Sequence, residues 1–482
     1  MLFTKRLGNS IKTNKKEDMS ELEIQQQDVE SNGKLSKQDW KDVKNMVDDR
    51  NFRGAAQFLM RKEGEQEQEV TVRYRFSAFA HEGAYAVFQA VTEIYGRLDL
   101  NTQHGPSGPR PPKLINITLP NGDYIKVPWG QVALPKTGGE GVLEMSWDSD
   151  DNEFLIQGTV KRKHEPQVER IASVIQEKLD NESIYRGQAL SMDLGGKDHT
   201  VQYNEPKFID LKGIKPDNII ISNKTRADLN PIIQRITKSD LCKDNGLDLK
   251  YGALLEGPYG TGKTLVAFML AKMAVENNWT FIYLEDCRDM GRALRVAEKY
   301  TRGDSKGCVI FTEDIDQVIK GERDHEMQEI LNTLDGGDTK GKPIISIFST
   351  NHLELIDPTF LRGKRIGSII SMGPLDKETS LMFLKKIAVN KKGVSLMQEE
   401  HWEKASKALC GIVPAFAHEV IDASKIYMIA RDDDKISDED IALAAESYKR
   451  QMEVATCHKK DPEQHKLQKA LELVGEGLGG NL

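Results

Sequence analysis

Residues 257–264 of this chain have the sequence Gly-Pro-Tyr-Gly-Thr-Gly-Lys-Thr, which matches the phosphate-binding pattern G-x-x-x-x-G-K-[ST]. The apolar run 253–255 precedes the motif and the apolar run 265–271 follows it, so the pattern predicts a strand, a loop and a helix in that order. Glycines let the backbone turn several N–H groups toward one anion, and the start of a helix adds partial positive charge. The motif therefore predicts a phosphate site on an α/β fold.

Two side chains of this motif have chemical roles of their own. The Lys263 ammonium is expected to reach the outer phosphates, and the Thr264 hydroxyl is expected to bind Mg²⁺. The residues predicted to contact the nucleotide in this region are Gly257, Pro258, Tyr259, Gly260, Thr261, Gly262, Lys263, Thr264 and Leu265.

Two carboxylates follow a second apolar run. Residues 308–312 are predicted to form a buried strand, and Glu313 and Asp314 come directly after it. A carboxylate at the end of such a strand can hold the shell of a magnesium ion, and its neighbour can orient an attacking water.

Polar and basic residues follow at two later positions. Residues 344–351 are predicted as another strand, which ends at the polar Asn351. Arg362 and Arg365 then stand three residues apart, just before a predicted strand at 366–371.

The order of these features from Gly257 to Arg365 resembles the AAA family of ATPases, within the wider AAA+ group. The resemblance covers roughly residues 215–450, about half of the chain, and includes a segment at 349–358 similar to the family's sensor-1 region. It implies ATP and Mg²⁺ as cofactors. It also implies the fold class: α/β, with a P-loop NTPase parallel sheet and a helical lid subdomain, preceded here by an α+β N-terminal domain.

The resemblance also implies roles for single residues. Thr264 and Glu313 would hold Mg²⁺, Asp314 would polarise the attacking water, and Asn351 would help to place it. The implied catalytic set is Lys263, Glu313, Asp314, Asn351, Arg362 and Arg365.

Two further implications concern the assembly and the lid. Arg362 and Arg365 lie where AAA proteins carry arginine fingers, which act on the nucleotide of the adjacent subunit, so a homo-oligomeric ring, a hexamer, is expected. In the lid, Pro414 and Ala415 lie in a turn similar to the one that touches adenine and ribose in the family.

The chain departs from the family pattern at two places. Most AAA proteins have Asp-Glu where this chain has Glu313 and Asp314, an order similar to that of the mitochondrial Rieske-protein translocase branch. The exchange moves the water-polarising carboxyl back by one methylene, which leaves slow hydrolysis open. The expected pore loop has no aromatic residue, and its nearest match is the pair Met290 and Gly291.

Composition limits the partners and the location. A net charge of -8 argues against a dedicated nucleic-acid binder, although a local basic loop remains compatible with it. No apolar run approaches the ~18 residues that span a membrane. Five scattered cysteines are typical of a reducing compartment, so a cytoplasmic location is expected. A transit peptide within residues 1–18 is the less favoured alternative.

Composition and periodicity divide the chain into six segments. Alternating β-formers and an Asn121-Gly122 hairpin signal mark the third of them, in which His81 and Glu82 are expected at the surface. The segments are a disordered tail (1–34), a helical hairpin (35–64), an α+β recognition domain (65–212), a large α/β subdomain (213–374), a helical lid (375–455) and a C-terminal tail (456–482).

The favoured hypothesis is ATP-driven remodelling or unfolding of a protein or protein complex, with the N-terminal domain binding the substrate or an adaptor. Two alternatives stay open. One is an AAA+ ATPase that acts on nucleic acid, and the other is a slow, nucleotide-gated scaffold.

Overall fold

The computed structural model describes most of the chain between residues 36 and 457. The described residues are 36–96, 103–105, 108–110, 113–134, 141–148, 153–194, 205–303, 305–317, 330, 334, 341–363 and 365–457. The chain divides into two compact units, Met1–Ile184 and Tyr185–Leu482. The predicted tail at 1–34, and the predicted tail at 456–482 apart from its first two residues, lie outside the described part. The sequence also predicts a helix at 326–334, of which the structure describes residues 330 and 334.

The first unit is an α+β structure, as the sequence predicted. Its elements are α1 (Lys37–Asp48), α2 (Phe52–Gln66), β1 (Glu69–Ser77), α3 (Ala80–Tyr95), β2 (Gln103–Gly105), β3 (Gly108–Arg110), β4 (Lys113–Thr118), β5 (Tyr124–Trp129), β6 (Gln131–Ala133), β7 (Val142–Asp148), β8 (Glu153–Lys161) and α4 (Glu165–Asn181). Among the described residues, an antiparallel sheet has the order β1-β8-β7-β6, and β4 pairs with β5 in the predicted hairpin.

Helices α1 and α2 form the predicted helical pair. Ser36 caps α1 by accepting a hydrogen bond from the backbone of Asp39, whose carboxylate bonds back to Ser36. The Ser36 hydroxyl and the Ser36 backbone N–H both donate to the Asp39 carboxylate, and these two hydrogen bonds lower the pKa of Asp39 to about 2. Lys62 of α2 lies 3.0 Å from the same carboxylate, so one acidic group both caps α1 and connects it to α2.

Helix α3 lies very close to strand β8. A Cβ added at Gly83 would meet the Phe154 ring at 2.2 Å, so this contact requires a glycine. Phe154 is fully buried, and Val87 and Ala90 on the same helix are also buried. The approach of helix to sheet therefore forms the centre of the first unit's core.

The first turn of α3 corrects one expectation from the sequence. Glu82, expected at the surface, is only 1% exposed and accepts hydrogen bonds from the Phe79 backbone at 3.3 Å and from the Ser183 hydroxyl. His81 is half-buried, and burial lowers its pKa below the ordinary value of 6.5. Both residues stand at the N-terminus of a helix that packs into the core, which a short motif does not reveal.

The second unit is a parallel α/β structure followed by helices. Its first elements are β9 (Ala189–Met192), β10 (Lys207–Phe208), α5 (Asn223–Thr237), α6 (Ser239–Asp244), β11 (Tyr251–Glu256), α7 (Lys263–Glu276), β12 (Trp279–Leu284), α8 (Met290–Lys299), β13 (Gly307–Thr312), β14 (Ile344–Thr350) and β15 (Ser368–Ser371). Within the described residues the sheet has the order β10-β9-β12-β13-β14-β11-β15, and only β10 is antiparallel to its neighbour.

The central strands of this sheet are buried on both faces. Ala253, Leu254 and Leu255 of β11 are 0% exposed, which is why the run before the glycine loop is continuously apolar. Helix α7 covers one face with Val266 and Leu270. The carboxyl ends of parallel strands share one edge, so the residues that follow β11, β13 and β14 come together there.

Strand β9 places the boundary between the two units earlier than the sequence suggested. The boundary expected at residue 212 assigned this segment to the recognition domain. Residues Ala189–Met192 instead pair in parallel with β12, with Ala189 opposite Phe281, and the second unit begins at Tyr185. Four residues are too short a run to reveal a strand by periodicity.

Four helices form the lid that was predicted at 375–455. They are α9 (Lys377–Ile387), α10 (Trp402–Leu409), α11 (Pro414–Ala430) and α12 (Asp438–Cys457). Their core includes Leu384, Leu409, Val420 and Ile441, each 0% exposed. In the part of the chain that the structure describes, no helix combines the length and apolar character that crossing a bilayer requires.

Candidate active site

The glycine loop joins β11 to α7 through positive backbone angles. Gly257 has φ +149°, and a Cβ there would lie 1.9 Å from the carbonyl oxygen of Met372. Gly260 and Gly262 have φ +80° and +91°, in the left-handed region that favours glycine. Helix α7 starts at Lys263, so its first backbone N–H groups face the loop. The predicted strand, loop and helix are confirmed.

Lys263, the first residue of α7 after the glycine loop, is 8% exposed. Its Nζ donates to the carbonyl oxygens of Gly257 at 2.8 Å and Pro258 at 3.1 Å, and to Oδ1 of Asn351 at 2.8 Å. Burial lowers the pKa of Lys263, and the nearby carboxylates, Asp314 first, oppose that shift. These acceptors fix the position of the ammonium group at the mouth of the loop.

Glu313 is held through both of its carboxylate oxygens. The Thr264 hydroxyl donates to Oε1, and the Tyr283 hydroxyl donates to Oε2 at 2.8 Å. Burial, and then the hydrogen bond to Glu313, raise the pKa of Tyr283, which keeps the phenol protonated as a donor. Tyr283 carried no motif signal, so sequence reasoning did not find it.

The Thr264 hydroxyl and the Glu313 carboxylate are the two oxygen ligands that the sequence assigned to Mg²⁺. They lie in direct contact, and hard oxygen donors of this kind suit Mg²⁺, which takes one or two protein ligands together with phosphate oxygens. Among the described residues no group of three or more His, Cys, Asp or Glu side chains could hold a metal ion. A site of two protein ligands that is completed by the nucleotide matches this donor set.

Asp314 contacts Asn351, which is not a partner of Glu313. Its backbone has φ +50°, which is uncommon outside glycine, and its Oδ1 accepts from Nδ2 of Asn351 at 2.7 Å. Burial raises the pKa of Asp314, and the neighbouring carboxylates of Asp316 and Glu313 add to the rise. Adjacent carboxylates therefore have different partners.

A buried polar pair supports this arrangement. Thr350, the last residue of β14, donates to Oδ1 of Asp316 at 2.8 Å, and both side chains are buried. The same hydroxyl accepts from the backbone of His352 at 2.9 Å. The pair thereby fixes the backbone on either side of Asn351, and sequence reasoning assigned no role to Asp316.

A cavity of about 730 Å³ brings these groups together with the lid. Its lining includes most of the predicted residues: Tyr259, Gly260, Gly262, Lys263, Thr264, Leu265, Glu313, Asp314, Asn351, Pro414 and Ala415. Gly257, Pro258 and Thr261 belong to the loop but not to the lining. Ser349, Phe383, His418 and Glu419 also line the cavity and were not predicted.

The lid reaches the glycine loop through Ala415. Its backbone N–H donates to the Gly260 carbonyl at 3.0 Å, and a Cβ added at Gly260 would lie 3.0 Å from the Ala415 Cβ. On the lid side of the cavity, Phe383 and His418 make an edge-to-face contact at 6.5 Å. The lid end of the cavity thus combines the apolar Phe383, Pro414 and Ala415 with the polar His418 and Glu419.

The two predicted finger arginines are not among the residues that line the cavity. Arg362 is exposed, and among the described residues its side chain makes no hydrogen bond or ion pair. Arg365 is half-buried and donates from Nη1 to the Thr359 carbonyl at 2.6 Å. The two arginines therefore differ in environment.

Met290 and Gly291, the nearest match to a pore loop in the sequence, lie in a helix and not in a loop. Both residues are buried, Met290 with 0% exposure, because they form the first turn of α8 against the sheet. Neither can grip a polypeptide from this position.

Comparison with known proteins finds similarity in the segment that supplies the sheet side of the cavity. The profile described as "ATPase family associated with various cellular activities (AAA)" matches residues 253–374. A Caenorhabditis elegans protein named "Probable 26S proteasome regulatory subunit 10B" is 28% identical over 293 residues, 55% of this chain and 70% of that protein.

Two further relatives match smaller shares. The "26S proteasome regulatory subunit 10B" of Dictyostelium discoideum is 32% identical over 41% of this chain and 53% of its own length. The Arabidopsis thaliana "Probable inactive ATP-dependent zinc metalloprotease FTSHI 2, chloroplastic" is 26% identical over 51% of this chain and 28% of its own length. This chain thus spans about half or less of the length of these two relatives.

Proposed function

Because the chain contains an AAA ATPase domain, we propose that it hydrolyses ATP in a ring of identical subunits, a hexamer, and uses the energy to remodel or unfold a protein. The observation that carries this proposal is the convergence of Lys263, Thr264, Glu313, Asp314 and Asn351 in one cavity. Their side chains supply a cation for the phosphates, two oxygen ligands for the metal ion, a carboxylate for the attacking water and an amide that orients that carboxylate.

The division of work follows from the contacts. Lys263 and the backbone N–H groups at the start of α7 bind the phosphates, and Thr264 with Glu313 holds the metal ion. A bound Mg²⁺ neutralises charge on the phosphates. Asp314, whose raised pKa reflects a more basic carboxylate, polarises the attacking water, and Asn351 orients Asp314.

The exposed Arg362 supports a ring. An arginine that stabilises transition-state charge must reach the phosphates, and Arg362 lies outside its own subunit's cavity. An adjacent subunit's cavity is the site that it serves in this proposal. Arg365 donates a hydrogen bond to the Thr359 carbonyl and so stabilises the finger loop, the segment 359–365 that carries Arg362.

We favour a protein, and not a nucleic acid, as the substrate that ATP hydrolysis remodels. Two of the relatives described above are named as proteasome regulatory subunits, and the net charge of -8 gives no basic surplus for nucleic acid. The first unit, with its own sheet and core, is the proposed recognition module for a substrate or adaptor. The cytoplasmic location stays a prediction from the sequence.

A slow, nucleotide-gated scaffold is the second candidate. The Glu313–Asp314 order shortens the water-polarising side chain, and the pore-loop pair at Met290 is buried. Turnover separates the two candidates, because a scaffold binds ATP in the same cavity but releases little phosphate.

The decisive experiment uses Asp314→Asn as a trap. The variant is loaded with ATP, the assembled ring is isolated from the native extract, and co-purifying molecules are identified. A protein client held with ATP but not with ADP supports remodelling, and Lys263→Ala, which removes the phosphate contact, is the control that should hold none. Nucleic acid without a protein client would contradict the proposed substrate. Phosphate release no faster from the wild type than from Asp314→Asn would favour the scaffold.

A further inference from the structure

Tyr283 stands on β12, outside the motifs of the nucleotide site. It pairs in register with Phe311 of β13, two residues before Glu313. Its ring lies 5.8 Å from the Phe311 ring and 6.1 Å from the Phe268 ring of α7, measured between centroids. An aromatic side chain with two such neighbours has little rotational freedom, so the direction of its hydroxyl is set by the core.

The hydroxyl of Tyr283 contacts the carboxylate of Glu313, which lies next to the glycine loop. It donates to Oε2 of Glu313 at 2.8 Å, while the Thr264 hydroxyl donates to Oε1. Each oxygen of this carboxylate therefore has a fixed donor, one from the sheet and one from the start of α7.

The length of Glu313 explains why a second donor matters. A glutamate has one more rotatable bond than an aspartate, so holding its carboxylate in one place costs more conformational entropy. At this position the chain has the longer side chain. A rigid donor on the neighbouring strand limits the positions that the carboxylate can take before a metal ion arrives.

We propose that Tyr283 is a positioning residue for Mg²⁺: it orients Glu313 so that Oε1 faces Thr264 and the incoming ion. The inference rests on the proposed function, because it assigns Glu313 to the metal. It goes further by placing the control of metal affinity on a strand that carries no motif.

The same contacts keep the two neighbouring carboxylates apart. Tyr283 and Thr264 hold Glu313, whereas Asn351 holds Asp314. Loss of the Tyr283 hydroxyl frees Glu313 to turn away from Thr264. Metal affinity then falls, while the phosphate contacts of Lys263 and the loop stay intact.

The test measures nucleotide binding rather than turnover. The affinity of a fluorescent ADP analogue is measured in EDTA and across a series of Mg²⁺ concentrations for the wild type and Tyr283→Phe. We expect the Mg²⁺ concentration at half-effect to rise about tenfold, as for loss of a hydrogen bond to a charged group. Affinity in EDTA should stay within about twofold, because Lys263 is untouched.

Tyr251→Phe is the matched control. Tyr251 lies on β11 of the same sheet, and Arg235 stacks over its ring at 4.1 Å, away from Glu313. The control removes the same hydroxyl and should leave both affinities unchanged. Thermal unfolding checks each variant, and Tyr283→Met, which keeps apolar volume but has no hydroxyl, replaces the phenylalanine variant if that one does not fold.

A double-mutant cycle tests whether Tyr283 acts through Glu313. Glu313→Asp shortens the side chain and withdraws it from Tyr283, so Tyr283→Phe should add little in that background. Additive losses would overturn the inference, as would an unchanged Mg²⁺ requirement in Tyr283→Phe. Absence of nucleotide binding by the wild type would instead contradict the proposed function, and the inference would fall with it.

Discussion

The side-chain amide of Asn351 lies 2.7 Å from Oδ1 of Asp314, to which its Nδ2 donates. Through its other atom, Oδ1, the same amide accepts from Lys263 at 2.8 Å. One side chain thus connects the ammonium group proposed to bind phosphate to the carboxylate proposed to polarise water.

Replacement of Asn351 should therefore affect turnover more than binding. We expect Asn351→Ala to lower kcat by about 100-fold, the order of a misplaced general base, and to change the Kd for ATP by less than about threefold. Steady-state phosphate release and fluorescent-nucleotide titration measure the two quantities. Asn245→Ala, an exposed asparagine that bonds only within α6 and its end, is the control. Equal losses in kcat and affinity would contradict the positioning role.

The two arginines of the finger loop should behave differently. Arg362→Ala removes an exposed side chain, so we expect an unchanged Tm, intact ATP binding and a loss of about 10³-fold in turnover. Arg365→Ala removes the hydrogen bond to the Thr359 carbonyl, so in this variant the Tm should fall together with the turnover. Unchanged turnover in Arg362→Ala would contradict the finger assignment.

Mixed rings test whether Arg362 acts on an adjacent subunit. Arg362→Ala and Lys263→Ala subunits should each be nearly inactive alone. Mixed, they should recover part of the activity, because an Arg362→Ala subunit keeps an intact phosphate loop beside a neighbour that keeps Arg362. No recovery in rings shown to be mixed would place the arginine's action within its own subunit.

The sequence predicted the polar edge of the sheet because strand ends there carry charged side chains. Glu313 and Asn351 stand at the ends of predicted buried strands, Asp314 follows Glu313, and Lys263 follows the glycine loop that succeeds such a strand. Tyr283 could not be found in this way, because a tyrosine in the middle of a strand has the same pattern whether or not its hydroxyl meets a carboxylate.

The lid side of the cavity was harder to predict for a different reason. Phe383 and His418 reach the cavity from two helices whose packing depends on the whole lid core. Periodicity identifies such helices but does not fix which of their side chains reach the cavity. The boundary near Tyr185 could not be predicted because it also depends on tertiary packing: β9 is a strand only through its pairing with β12.

Two glycines in neighbouring helices of the first unit should respond in opposite ways to alanine. Gly64 of α2 has open space at its Cβ position, so Gly64→Ala should raise the free energy of unfolding by roughly 0.5–1 kcal/mol. Gly83→Ala would push a methyl into the Phe154 ring and should lower it by roughly 1–3 kcal/mol. Denaturant unfolding followed by tryptophan fluorescence measures both, and a stable Gly83→Ala protein would contradict the close approach of α3 to β8.

Stability of the first unit should depend on pH through His81. Burial holds its pKa in the folded state below 6.5, its ordinary value, so the unfolded chain binds more protons between these two values. The stabilising effect of the neutral ring is complete above pH 6.5 and is lost as the pH falls through the folded-state pKa. The Tm should therefore fall more steeply below pH 6.5 for the wild type than for His81→Asn. Parallel curves for the two proteins would contradict this assignment.

Strand β9 determines how a force applied to the chain at Tyr185 would enter the second unit. The chain enters the second unit at Tyr185 and, four residues later, is already hydrogen-bonded in parallel to β12. A pull along this strand loads the ladder between β9 and β12 in shear, so its hydrogen bonds resist together rather than opening one by one. Tension that enters the second unit at Tyr185 would thus be carried by the same sheet whose strands β13 and β14 lead to Glu313 and Asn351.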